Sequence, residues 1–494
     1  MIATLLLACR GEIALRFIRT ARRLGIRTAV LHGAEEARAP FVLAADIRVS
    51  CDAANPYASP EILLGEARRI GADAVAPGYG PLAENADFAE ACEAAGLIFV
   101  GPRPAAIRLT GDKVVARAAA ERAGVPVVPG GTAHDAREAA AIADRIGYPV
   151  LIKAALGGGG RGIRLVPAQY GIARAWAEVA REAEAAFGRS DLYVERFLGE
   201  RIRHVEVQLL GDRAGAVAAL GDRGCSVQRR RQKVVEEAPC PALEPDLRAA
   251  ILDAAIRFAA EVGYDSAGTA EFLVDEGGAF HFIEMNARIQ VEHPATEAVT
   301  GVDIVEEMLR VACGEPLRGD RATPVTFGHA IEFRICAEDP RVDFMPGGGT
   351  VTACRVPDGP GIRVDAGIAA GTVQPARYDS LCMKVVVWGR DREQALGRSA
   401  VALSELVVAG FPTNLPFHRW LLHHPAFRDG GYDLSIAGRF AVAEDECATS
   451  HRDMAVAAAL STRARPTEAP ASAPGGRTQS GWRAANGEVG AHGW

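Results

Sequence analysis

The sequence predicts an α/β protein of several domains, on three observations. An apolar run at Thr4 to Ala8, a CRGE turn, a stretch of helical period and a second apolar run at Thr28 to Leu31 give the strand, helix, strand order of a parallel sheet. Further along, Arg203 to Leu210, His281 to Pro294 and His329 to Pro340 alternate apolar and polar residues with the period of a strand. At 494 residues the chain exceeds what one core organises, which suggests roughly three domains.

In the first unit, Ala14, Phe17, Ile18, Ala21 and Leu24 mark one side of the helix and Gly25 stops it. Apolar runs at Asp73 to Pro77 and Leu97 to Gly101 add parallel strands. The short LLLAC run lacks a basic leader and is read as a buried first strand, not a lipoprotein signal. A second region starts near Gly111 with GDK and carries the strand YPVLIKAA before LGGGGRG. Gly157 to Gly160 read as a mobile loop whose N–H groups can wrap phosphate oxygens, or as a plain connector. Lys153 precedes the glycines, the reverse of P-loop order.

DLYVERFL ends a strand at Glu195, and RHVEVQLL puts His204, Glu206 and Gln208 on one exposed face; a solvated ion pair and a structural histidine are the plainer readings. Arg229, Arg230, Arg231 and Lys233 form the densest cationic spot, either a solvated face or a site for an anionic substrate. A helix near Leu247 to Val262 leads to GTAEFLV. Its Glu271 would meet Glu284 across adjacent antiparallel strands, an unfavourable pairing unless a cation lies between them. In His281 to Pro294, Glu284, Asn286, Arg288, Gln290 and Glu292 occupy every second position. Carboxylate and amide oxygens suit Mg²⁺ and a guanidinium suits an oxyanion, although a strand with a solvated face has the same pattern. The third region, about Gly328 to Phe440, places Glu332 and Arg334 on one face and has a helix near Arg392 to Val407; Cys447 to Trp494 is a low-complexity tail.

A net charge of -7 provides no overall field for nucleic acid or an anionic membrane. Ten dispersed cysteines without a CxxC pair fit a reducing compartment, and no apolar run approaches the ~20 residues of a membrane span. A cytoplasmic protein is expected.

RGEIALR, PGYGPLAEN, GDK, GGGGRG, CSVQRRRQKVVEEAP, GTAEFL, FIEMNARIQVEHP and FRICAEDP stand in an order and spacing that resembles the biotin carboxylase family of ATP-grasp ligases, from Met1 to about Phe440. The resemblance implies a Rossmann-like (pre-ATP-grasp) domain at 1–110, an ATP-grasp domain at 111–320 with a mobile lid at about 130–200, and an α+β C-terminal domain at 328–440, before the tail at 447–494. It implies carboxylation of carrier-bound biotin from ATP and bicarbonate with Mg²⁺ or Mn²⁺, through carboxyphosphate, as the first half-reaction of an acyl-CoA carboxylase. A separate carrier protein and carboxyltransferase, and a homodimer, are the expected partners; no nucleic acid or membrane is.

By position, Lys113, Lys153, Gly159, Gly160, Glu195, Arg196, Phe197, Leu198, His204, Gln228 and Arg231 match the nucleotide site. Glu271 and Glu284, with Asn286 beside them, match the metal ligands. Lys233, Arg288, Gln290, Val291 and Glu292 match the bicarbonate site, Glu292 as base, and Arg334 matches the residue that steadies the biotin ureido oxygen. The chain departs from the family pattern at Cys9, Ala76, Pro81, Leu156, Arg231 and Cys336, and Arg23 replaces an acidic residue. Two other readings remain: an ATP-grasp ligase of carbamoyl phosphate type, and a nucleotide-binding subunit with impaired turnover.

Overall fold

Strand β1 (Thr4–Leu7) is buried along its whole length, as a central parallel strand must be when helices cover both faces of its sheet. A computed structural model of the chain describes residues 2–155, 162–188, 191–319 and 325–440. In it β1 pairs in parallel with β2 (Arg27–His32) and β4 (Ala74–Ala76), and β3 (Ile47–Ser50) and β5 (Ile98–Phe99) complete the order β3-β2-β1-β4-β5. The helix Gly11–Arg23 buries Ala14, Phe17, Ile18 and Ala21. Leu24, expected on that same side, lies at the C-cap and is exposed, because the helix ends one residue earlier and Gly25 turns with a positive φ.

Besides three two-stranded ribbons, two larger antiparallel sheets follow. The smaller contains β6 (Gly130–Ala133), β7 (Val150–Ala154), β8 (Ile163–Val166) and β9 (Leu192–Arg196) in the order β6-β9-β7-β8. Its β9 is an inner strand, so Glu195 is buried instead of forming a solvated edge pair. The larger sheet has eight strands. It starts with β10 (Arg203–Gly211), β11 (Val217–Arg229), β12 (Gln232–Ala238), β13 (Ser266–Val274) and β14 (Phe280–Asn286) in the order β14-β13-β10-β11-β12. It continues through β15 (His329–Cys336) to the strands Leu381–Gly389 and Ile362–Ala366. The segment from His329 onward thus extends the sheet of the preceding region.

The alternating stretch from His281 is strand only as far as Asn286, where the β14 ladder ends opposite Thr269. The chain then turns, and the helix His293–Thr300 begins with Pro294 in its first turn, where a missing N–H costs nothing. The face bearing His204, Glu206 and Gln208 is buried, contrary to its expected exposure. Arg223 and Lys233 close over Glu206, His204 faces Glu271, and the helix His293–Thr300 packs on the neighbouring β11 and β12, where Thr296 accepts a 2.7 Å hydrogen bond from Arg223. The loop Gly157 to Gly160 and the tail lie outside the described residues. Among the described residues no helix is long and apolar enough to cross a membrane.

Behind the Glu271 and Glu284 strands, Phe272 and Phe282 pack with Phe258 of the helix Pro245–Glu261, the Phe258 and Phe282 rings lying 4.4 Å apart. Phe258→Ala removes the ring that backs both strands and should destabilise the protein by about 3–5 kcal/mol. Equilibrium denaturation measures this.

Candidate active site

The larger sheet gathers its charged side chains around Lys233, on β12 beyond a register shift in the β11–β12 ladder. The ammonium donates to Glu271 at 2.7 Å and to Glu292 at 2.9 Å, and it also meets Glu206. A buried ammonium is tolerated only when its charge and protons are matched. Burial would lower its proton affinity, but Glu206, Glu271 and Glu292 together hold it well above the ordinary lysine value. Glu206 is itself shared with Arg223 at 2.6 Å, and neither side chain is exposed.

Glu271 and Glu284 are register partners on β13 and β14. Glu271 receives Lys233, Asn286 at 2.8 Å and Gln290 at 3.4 Å, and His204 Nε2 lies 2.8 Å from its second oxygen. Burial pushes the Glu271 carboxyl up, yet Lys233 and His204 prevail and hold it well below the usual carboxylate range. Glu284 pairs with Lys113 at 2.8 Å. Two facing carboxylates and the Asn286 amide are hard oxygen donors, and both carboxylates already sit against cations; this donor set fits Mg²⁺ or Mn²⁺.

Beyond the end of β14 the polar side chains still converge, because each is tied to something other than a ladder. Arg288 donates to Asn286 at 3.0 Å, to Gln290 at 3.1 Å and to Glu84 at 3.1 Å, while Glu84 also accepts from the Ala287 N–H at 2.9 Å. Glu292 receives Lys233 on one oxygen and Arg334 on the other, at 2.8 Å. Burial would raise its carboxyl, but Lys233, Arg334 and Arg223 keep it well below the ordinary value. Val291 enters through its backbone carbonyl, which accepts from the buried Lys384 at 2.7 Å.

The residues matched to the nucleotide site form a neighbouring group. Lys153 pairs with Glu195, and its ammonium lies 5.9 Å from the Tyr193 ring. The Lys113 N–H donates to the Ala155 carbonyl at 3.0 Å, just past the strand that carries Lys153, so this group adjoins Lys113. Gln228 donates to His204 Nδ1 at 2.5 Å, orienting that ring toward Glu271. Arg196 ends β9 and Phe197 and Leu198 follow it; Arg196 and Phe197 donate backbone N–H groups to the carbonyls of Pro129 and Pro149. Gly159 and Gly160 fall outside the described residues.

The basic run divides. Arg229 and Arg230 turn away to Asp343, whereas Lys233 reaches Glu206, Glu271 and Glu292. Arg231 sits with positive φ at the hairpin tip near Arg164. Glu84, Glu206, Arg223, Glu236 and Lys384 belong to the site although no sequence pattern assigned them to it. Glu84 lies inside PGYGPLAEN and Glu206 shares the His204 face, so a signal existed for these two. Arg223 and Lys384 lie in apolar-rich strands with nothing in the pattern to separate them.

Three family models match the chain in order: Biotin carboxylase, N-terminal domain over residues 1–107; Carbamoyl-phosphate synthase L chain, ATP binding domain over 112–319; and Biotin carboxylase C-terminal domain over 332–438. The chain belongs to the biotin carboxylase family. It is 46% identical to a biotin carboxylase of Nostoc sp. over 437 residues, covering 87% of this chain and 98% of that one. It is 47% identical to a biotin carboxylase of Pseudomonas aeruginosa over 440 residues, with 88% and 97% covered. The biotin carboxylase of Campylobacter jejuni, solved as a β-γ-ATP complex, superposes with a TM-score of 0.86 at 39% identity, covering 89% of this chain and 99% of that one. The biotin carboxylase domain dimer of the Hydrogenobacter thermophilus 2-oxoglutarate carboxylase, solved with MgADP, ADP and bicarbonate, also gives 0.86, at 43% identity and 90% and 100% coverage. The fold is therefore that of the ATP-grasp biotin carboxylases.

Glu206→Gln leaves Arg223 in a closed interior without its counter-charge. A loss of about 3–5 kcal/mol is expected in urea denaturation; a change within ±0.5 kcal/mol would show that Gln208 and Thr296 suffice to hold the guanidinium.

Proposed function

We propose that this chain is the biotin carboxylase component of an acyl-CoA carboxylase, an ATP-dependent ligase that carboxylates biotin on a carrier protein with bicarbonate. The observation that carries this reading is Glu292, whose two oxygens join Lys233, and through it the Glu271 side, to Arg334. One carboxylate thus touches both the candidate phosphorylation site and the candidate biotin site.

In the reaction a bicarbonate oxygen attacks the γ-phosphorus of ATP, ADP leaves, and carboxyphosphate forms. Catalysis of such a step is chiefly positioning and charge compensation. Lys113 and Lys153 hold phosphates, with Glu195 to Leu198, His204, Gln228, Arg231, Gly159 and Gly160 around the nucleotide. Glu271, Glu284 and Asn286 would hold Mg²⁺ or Mn²⁺, which would supply positive charge to offset that of the phosphates. Arg288, Gln290, Val291 and Lys233 receive bicarbonate, and Glu292 takes its proton. A carboxylate so stabilised by cations is a weak base; bicarbonate that draws Lys233 and Arg288 toward itself raises the proton affinity of Glu292 at the moment it is needed. Carboxyphosphate then breaks to CO₂ and phosphate, the phosphate removes the N1' proton of biotin, and that nitrogen adds to CO₂. Arg334 stabilises the charge that develops on the ureido oxygen.

The proposed organisation is 1–110, 111–320 with a lid at about 130–200, and 328–440, with the tail 447–494. The setting is a cytoplasmic homodimer working with a separate carrier protein and carboxyltransferase in fatty acid biosynthesis. Dimerisation is supported by the dimeric Hydrogenobacter thermophilus structure.

Bicarbonate-dependent ADP release, stimulated by free biotin, tests this. A nucleotide-binding protein without turnover releases none, and a carbamoyl phosphate type ligase shows no biotin stimulation. Glu292→Ala should lower turnover by about 10²–10⁴-fold with nucleotide binding retained in calorimetry; near-normal turnover would remove Glu292 as the base.

A further inference from the structure

Behind Arg334 lies a pair of acids that the proposed mechanism does not use. Glu236 on β12 and Glu332 on β15 are register partners and neither is exposed to solvent. Opposed residues in an antiparallel pair project to the same face with Cβ atoms about 4.5–5.5 Å apart, within reach of a carboxyl-to-carboxyl hydrogen bond. Neither oxygen of Glu332 has a hydrogen-bond partner among the described residues. Glu236 Oε1 lies 2.6 Å from Arg334 Nη2, though without an aligned hydrogen bond. Two ionised carboxylates facing each other in a dry interior repel and leave lone pairs unmatched, and a fully buried anion without a partner is far costlier than a neutral acid.

We propose that Glu236 and Glu332 hold one proton between them, carried by Glu332, and that the charge left on Glu236 positions Arg334 for biotin. The inference rests on the biotin carboxylase reading and adds a positioning pair to it. Arg334 is then gripped from two sides, by Glu236 at 2.6 Å and by Glu292 at 2.8 Å. The shared proton keeps its surroundings from becoming so anionic that the guanidinium no longer serves an incoming ureido oxygen.

The charged groups around the pair agree with this division. On β12 and β15 these are Lys233 and Arg334; from β11 comes Cys225; from the strand Leu381–Gly389 comes Lys384, opposite Arg334 and flanked on its other side by its register partner Asp365; at the start of the helix His293–Thr300 comes Glu292, with His293 next to it. Lys233 is committed to three other carboxylates, and Lys384 is shared with Glu12 at 3.1 Å and the Val291 carbonyl. Burial keeps His293 neutral, its proton affinity well below the ordinary value. Burial raises the Glu332 carboxyl well above the ordinary value, Lys384 opposing and Glu236 adding to the rise. Glu236 rises to about 7, again through burial, with Arg334 opposing. Both folded values exceed the unfolded ones. The stabilisation is therefore present at acid pH, and it declines as pH climbs from the unfolded carboxylate range through about 7, because the unfolded chain releases protons that the pair retains.

Infrared difference spectra of the full chain near neutral pH should show a protonated-carboxyl band that disappears in Glu332→Gln. The decline in melting temperature between about pH 5 and 8 should be shallower in that variant, which is neutral at every pH. Glu236→Gln keeps the shape but removes the charge beside Arg334; it should lower biotin-stimulated ADP release about tenfold more than bicarbonate-dependent release without biotin, and raise the KM for biotin. A missing Glu332 band, or equal losses of the two rates, overturns the proposal. Absence of biotin stimulation in the unmodified chain would instead overturn the functional reading, and the infrared result would still decide whether the pair holds a proton.

Discussion

A single ammonium group, that of Lys233, holds the centre of this protein together. It neutralises carboxylates from three places that are distant in the chain: Glu206 on β10, Glu271 on β13, and Glu292 at the entrance to the helix His293–Thr300. None of these acids tolerates burial as an anion by itself, and the lysine does not tolerate burial as a cation without them. The arrangement is mutual, and it forces β10, β12, β13 and the turn after β14 into one geometry.

From that knot the charges propagate outward in alternation. Glu206 compensates Arg223, Glu292 compensates Arg334, and Glu271 orients His204, which Gln228 orients in turn. A set of this kind is poised for anionic substrates. Its cations already face protein carboxylates, so an incoming bicarbonate or phosphate group competes with partners already in place and shifts the proton affinities of the acids it displaces. The proton affinity of Glu292 is set by its neighbours, Lys233, Arg334 and Arg223 outweighing the effect of burial.

The apolar half of the sheet has a different task. Phe258, Phe272 and Phe282 back the strands whose opposite face carries Glu271 and Glu284, so rigid packing on one side fixes donor positions on the other. The parallel sheet contributes Glu84 from the segment after β4, which anchors Arg288 and the Ala287 N–H as the chain leaves β14.

Local pattern was enough for much of this. Period-two alternation located β10, β14 and β15, the strand-helix-strand order located the parallel sheet, and the short span between GTAEFL and FIEMN implied the hairpin that pairs Glu271 with Glu284. The family motifs, matched residue by residue, pointed to Lys233, Arg288, Glu292 and Arg334. What remained hidden depended on contacts distant in sequence. Alternation shows that His204 and Glu206 share a face, but charged side chains from strands that come later in the chain, Arg223, Lys233 and Glu271, bury that face. Composition marks four basic residues in a run, but Asp343 draws Arg229 and Arg230 out of it. The strand pattern reads on through Glu292, yet the ladder stops at Asn286, and Glu84, Glu271 and Lys233 aim the side chains beyond it. Periodicity reports which side of a strand a residue occupies; whether that side meets water, a helix or another charge is settled only when the sheets assemble.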